Sequence, residues 1–105
     1  PERRRAHDGA DQRLARLCDT DGMEALPYLW LGGTKVTDAG LGALRRLAGL
    51  RTLGLRGSAI TDAGLEHLKA LKTLQFLDLS NTKVSEKGVK ELQEALPTCR
   101  IRRWE

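Results

Sequence analysis

Residues 37–41 read TDAGL, and residues 61–65 read TDAGL again, 24 positions later. Repetition at such a period decides the architecture before any local element is considered. In blocks of 24 from Leu26, residues 26–49 read LPYLWLGGTKVTDAGLGALRRLAG and residues 50–73 read LRTLGLRGSAITDAGLEHLKALKT. Residues 74–97 read LQFLDLSNTKVSEKGVKELQEALP. All three keep Leu at block positions one, four, six and nineteen, and Gly at position fifteen.

Each block changes its hydrophobic period midway. Leu29/Leu31, Leu53/Leu55 and Leu77/Leu79 alternate, which predicts a short strand with one buried face. A loop follows whose Val36, Ile60 or Val84 points inward. Thr37, Thr61 and Ser85 then stand as helix N-caps, able to accept a free backbone N–H. Asp38, Asp62 and Glu86 place negative charge at the positive end of the helix dipole. Leu41/Leu44/Leu47, Leu65/Leu68/Leu71 and Val89/Leu92/Ala95 continue as a helical stripe.

One strand and one helix cannot bury their own apolar faces, so the blocks must stack, strands beside strands and helices beside helices. The pattern L-x-x-L-x-L-x-x-T/S-x-V/I-T-D-A-G-L resembles the leucine-rich repeat, closest to its 24-residue bacterial and cysteine-containing subtypes, from Leu26 to about Ile101. The resemblance implies an α/β solenoid: a short right-handed horseshoe segment with a parallel sheet on the concave face and helices on the convex face. Where the family usually has Asn or Cys in the loop, this chain has Thr34, Ser58 and Thr82, whose hydroxyls can bond neighbouring loop backbones.

The expected organisation is a flexible basic tail over 1–9, a cap helix and connector over 10–25, three units over 26–49, 50–73 and 74–97, and a capping strand and tail over 96–105. Leu14, Leu17 and Cys18 share one helical face, expected to cover the first unit's open core with Met23 and Leu26 beneath it. The last strand is expected from Leu96, two residues ahead of the 24-residue register, with Cys99 buried in it. Trp104 is left between covering that core and standing free.

Composition agrees with a repeat rather than an irregular globule. Apolar residues make up 40% and aromatics only 4%, so aliphatic side chains must build the core. The net charge of +4 admits an acidic partner or nucleic acid. Cys18 and Cys99 form no C-x-x-C pair and no disulfide framework, which favours a reducing compartment and the cytoplasm. No stretch approaches the ~20 consecutive apolar residues of a membrane span. The chain begins at Pro1 rather than Met, which leaves an upstream segment open.

Chemistry-bearing residues are scattered. His7 and His67 have no second ligand at metal spacing. GLRGSAITDAG lacks the Lys-Ser/Thr of a phosphate loop, and Asp19-Thr20-Asp21-Gly22 lacks the distal ligands of a calcium loop. The reading is therefore non-catalytic, with no catalytic residues, metal, cofactor or small-molecule substrate. What remains is the outward face of the sheet, where stacking predicts one row of Tyr28, Thr52, Phe76 and Thr98 and another of Trp30, Gly54, Asp78 and Arg100.

The expected function is an interaction module that binds a protein or peptide partner through Tyr28, Trp30, Arg56, Phe76, Asp78 and Arg100. The same residues also admit a structural reading, with the aromatics under the cap helix and Asp78 paired to Arg56 or Arg100. A nucleic-acid or acidic-surface binder would use the Arg-rich ends with Trp30 and Tyr28 as stacking groups. Arg3–Arg5 and Arg102/Arg103 lie at opposite ends of the stack, which disfavours one continuous footprint. An assembly or capping fragment of a larger repeat protein is the third alternative.

Overall fold

A four-stranded parallel sheet in sequential order carries the helices on one face, as stacked strand–helix units require. The computed structural model describes residues 2–103, with side chains from Gly9 onward. The strands are β1 (Tyr28–Trp30), β2 (Thr52–Gly54), β3 (Phe76–Asp78) and β4 (Arg100–Arg102), ordered β1-β2-β3-β4. Their register follows the repeat: Leu29 pairs with Leu53, Leu53 with Leu77 and Leu77 with Ile101. The helical layer holds α1 (Glu2–Cys18), a 3₁₀ segment (Asp38–Arg46), α2 (Asp62–Leu68) and α3 (Glu86–Ala95), with a 3₁₀ turn (Met23–Ala25) after α1. Among the described residues, no helix is long and apolar enough to cross a membrane.

The core consists of the side chains the repeat turns inward. Leu41, Leu44, Leu47, Leu53, Leu55, Leu65, Leu68, Leu77 and Leu79 are buried, as are Val36, Ile60 and Val84 from the loops. Met23 and Leu26 pack partly buried against this cluster. After each of the first three strands the chain turns through a left-handed residue: Gly33 (φ 73), Gly57 (φ 73) and Asn81 (φ 59). Only Gly, or a short polar residue such as Asn, adopts that conformation cheaply.

Four sequence expectations are corrected. The tail expected over 1–9 is helical from Glu2, so the cap helix starts well before Ala10. Arg and Ala are strong helix formers, and their local propensity favours a helix over this stretch. His7, like Arg3–Arg5, falls where side chains are not described, and Trp104 and Glu105 of the expected 96–105 cap lie outside the described residues.

The first unit's helix is a 3₁₀ segment with no side-chain cap from Thr37. Gly40 and Gly42 weaken the α form there. The three-residue spacing of Leu41, Leu44 and Leu47 lines up in a helix with three residues per turn, and all three are fully buried.

The fourth strand keeps the 24-residue register instead of arriving two residues early. Arg100, not Thr98, stands beside Phe76, and Arg102, not Arg100, beside Asp78. Leu96 does supply a buried leucine, but at the C-cap of α3, where Gln93 Nε2 donates to the carbonyls of Leu96 (2.9 Å) and Cys99 (2.8 Å). A two-residue slip leaves every side chain on the same face, so strand alternation could not separate the two registers.

Thr34, Ser58 and Thr82 bond within their own loops, each hydroxyl donating to the carbonyl three residues back (2.7, 2.6 and 2.7 Å). The tie between units is made elsewhere, by the aspartates. Asp11 accepts from the Thr37 N–H (2.9 Å) and hydroxyl (2.6 Å). Asp38 accepts from the Thr61 N–H (2.8 Å) and from the Thr61 hydroxyl. Asp62 does the same with the Ser85 N–H (2.7 Å) and hydroxyl. This ladder explains the invariant glycine of the blocks: a Cβ at Gly40, Gly64 or Gly88 would overlap the preceding Asp11, Asp38 or Asp62 carboxylate.

The Ser85 hydroxyl and N–H hold the Asp62 carboxyl below its ordinary pKa of 3.8; slight desolvation opposes this, and Arg103 and Lys87 add to it. A carboxyl depressed in the folded state favours folding fully above its ordinary value, and that contribution is lost as pH falls through the lowered value. Acidification below 3.8 should therefore cost the wild type more stability than Asp62→Asn, as read by denaturant melts at stepped pH. Parallel pH profiles would overturn the assignment.

Candidate partner-binding face

The strand residues that alternate with the buried leucines stand in register on the sheet's open face. One row is Tyr28, Thr52, Phe76 and Arg100, and the next is Trp30, Gly54, Asp78 and Arg102. A third begins with Gly32 beside Arg56, whose backbone oxygen would lie 3.2 Å from a Cβ at Gly32. Strand spacings of ~4.8 Å make the face ~14 Å wide from β1 to β4. Aromatic side chains occupy one edge and guanidinium groups the other.

Tyr28 (60%) and Trp30 (61%) are exposed, so neither packs under α1. Trp30 lies flat on β2: a Cβ at Gly54 would overlap its ring at Cε3 and Cζ3. The missing side chain is thus the seat of the indole, whose outer face remains open. Phe76 is half-buried, and Arg56 and Arg100 are exposed. Asp78 is 8% exposed, its Oδ1 accepting the Ser80 N–H (3.0 Å). It belongs to the floor of the face, because its carboxylate turns back on its own chain. Arg102, exposed in the Trp30 row, is the face residue that the two-residue slip had moved out of place.

The remaining reactive groups are engaged elsewhere. Cys18 and Cys99 are buried free thiols, and burial raises both pKa values, with Arg46 pulling Cys18 slightly the other way. A protonated, covered thiol is a poor nucleophile. Asp19 pairs with Arg46 at 2.7 Å on the surface. His67 lies half-buried against Gly42, where a Cβ would come within 3.5 Å of its ring. Among the described residues, no group of three or more His, Cys, Asp or Glu side chains is placed to hold a metal ion.

Comparison with known proteins bears on this geometry. The family model described as Leucine Rich repeat matches residues 70–92, which begin just after α2 and include β3 and most of α3. No curated protein matches the chain. Seventeen solved chains do, among them "Leiomodin-1 Actin-Binding Site 2 (ABS2)", with a TM-score of 0.66 and 17% identity. That alignment covers 95% of this chain and 66% of the other, so this chain spans just under two thirds of its length. At such identity the likeness shows the fold alone. Residues 70–92 therefore match the leucine-rich repeat, within a fold that the leiomodin structure shares.

Proposed function

We propose that the chain is a non-catalytic interaction module, a short right-handed horseshoe segment that binds a protein or peptide on the concave side of its sheet. The observation that carries this reading is the exposure of Tyr28 and Trp30 on rigid strands, in a molecule whose other strand hydrophobics are buried or half-buried. Exposed aromatics and arginines are the side chains that most often dominate binding energy. Tyr28 and Trp30 are the anchors, Phe76, Arg56 and Arg100 complete the contact, and Asp78 holds the floor. Arg102 joins them on the grounds of its register.

A solved protein of the same fold is named for an actin-binding site, which supports a protein partner without identifying it. The 24-residue subtype rests on the strand register, the three units 26–49, 50–73 and 74–97 on the repeat, and a cytoplasmic setting on the two free thiols.

The test is affinity for the purified natural partner at two salt concentrations. Trp30→Ala should weaken binding more than about tenfold, since truncating a hot spot costs ~2 kcal/mol or more. Folding should survive, because most of the ring is already in solvent. Normal binding by a Trp30→Ala/Tyr28→Ala double variant would remove the proposal. Affinity that falls steeply with salt and depends on Arg3–Arg5 would instead assign the chain to nucleic acid.

A further inference from the structure

Equivalent leucines are covered unequally along the stack. Leu53, Leu55, Leu77 and Leu79 are fully buried, whereas Leu29 and Leu31 of the first unit are only half-buried. Leu17 of α1 is 37% exposed, while Leu44, Leu68 and Leu92 at the matching helix position are covered. The cause is where α1 sits: it packs on the 3₁₀ segment and adds no strand to the sheet. A helix occupies the layer ahead of the first unit, and among the described residues no strand lies beside it. A cavity of about 400 Å³ continues from the C-terminal end of β1, between α1 and the loop that follows the strand, lined by Leu14, Leu17, Leu31 and Val36 together with the exposed Arg13 and Lys35.

The sheet edge on this side is open. Toward β2, the first strand region is engaged through the Leu31 N–H to Gly54 oxygen (2.7 Å) and the Thr52 N–H to Pro27 oxygen (3.0 Å). Alternation along a parallel ladder turns the N–H and C=O groups of Tyr28 and Trp30 the other way. Among the described residues, no strand pairs with that side of β1. The opposite edge differs. Arg100 and Arg102 flank Ile101 on β4, and charged side chains protect an edge from strand addition.

We propose that β1 accepts an extended segment of an acidic partner protein as a fifth strand, its alternate apolar side chains filling the cavity and its carboxylates meeting Arg13 and Lys35. A second copy of this chain fits less well, because it would bring the same two cations and another net +4 to the same edge. The site is separate from the sheet-face reading, since it uses the backbone of Tyr28 and Trp30 rather than their rings.

The test titrates the full ¹⁵N-labelled chain with the peptide Glu-Glu-Val-Thr-Val-Thr-Val-Glu-Glu. Saturable shifts should centre on the Tyr28 and Trp30 amides, with slowed hydrogen exchange at both. Methylating the peptide amides that face β1 should weaken binding about tenfold or more, the effect of removing two hydrogen bonds. Replacing its glutamates by lysines should weaken it by a similar factor, as should Leu17→Glu in the protein. Shifts confined to Thr52, Phe76 and Arg100, with exchange at the Tyr28 and Trp30 amides unchanged, would place the peptide on the sheet face instead, so this proposal and the sheet-face reading can fail separately. Absence of saturable shifts, or equal binding by the methylated peptide, would overturn the inference. Sedimentation showing dimers that block the edge would give it to a second copy.

Discussion

Leu53→Ala should lower folding stability by ~2–5 kcal/mol, a large part of what a domain of this size possesses. Leu53 lies between Leu29 and Leu77 in the sheet register and is fully buried. The lost methyl groups forfeit their transfer energy, and strands held on both sides cannot collapse into the gap. A melting point lower by on the order of 10 °C or more is expected. Arg45→Ala, at an exposed position on the outer 3₁₀ segment, should stay within ~0.5 kcal/mol. Equal shifts for the two variants would mean that the inward face is misassigned.

A double-mutant cycle on Asp38 and Gly64 should show a change of sign. Asp38→Ala strips the acceptor from the Thr61 N–H and hydroxyl, and leaving such partly buried donors unpaired costs ~1–3 kcal/mol. Gly64→Ala drives a methyl group into that carboxylate and to 2.9 Å from Leu41 Cδ1. Overpacking of this kind costs ~1–3 kcal/mol, while Ala in place of Gly within a helix recovers ~1 kcal/mol. The clash should win with Asp38 present. With Asp38 already Ala the carboxylate overlap is gone and only the tip of the Leu41 side chain must shift, so Gly64→Ala should then stabilise the single variant through helix propensity. Coupling between touching residues reaches ~0.5–3 kcal/mol, well within reach of denaturant melts. The same ΔΔG in both backgrounds would show that the carboxylate is not what requires the glycine.

Much of the candidate face could be read directly from spacing. Tyr28, Trp30 and Phe76 alternate with buried leucines, and stacked blocks place them in rows without further information. Asp78 also sits at its expected register, but its burial and its bond to Ser80 depend on the local turn, which no pattern encodes. Arg100 and Arg102 each stand one place away from where the reading put them. The signal that could have corrected this was the 24-residue period itself, which β4 obeys even though its first leucine does not. Asp11 was overlooked as the start of the aspartate ladder, although Asp11, Leu14 and Leu17 repeat the spacing of Asp38, Leu41 and Leu44. The first helix lacks the TDAGL that flags the next two.

The sequence by itself determined the parallel stack, the inward leucines and the aromatic edge of the face. All of these follow from a period of two within strands and of 24 between them, because each unit can bury its apolar stripe only against its neighbours. Tertiary structure decided the rest: the seat of α1, the 3₁₀ form of the first helix, the register of β4 and the true partners of Asp38 and Asp62. Each of these depends on which groups meet across neighbouring units. Local periodicity is blind to such contacts, and to any slip of two residues that leaves every side chain on its own face.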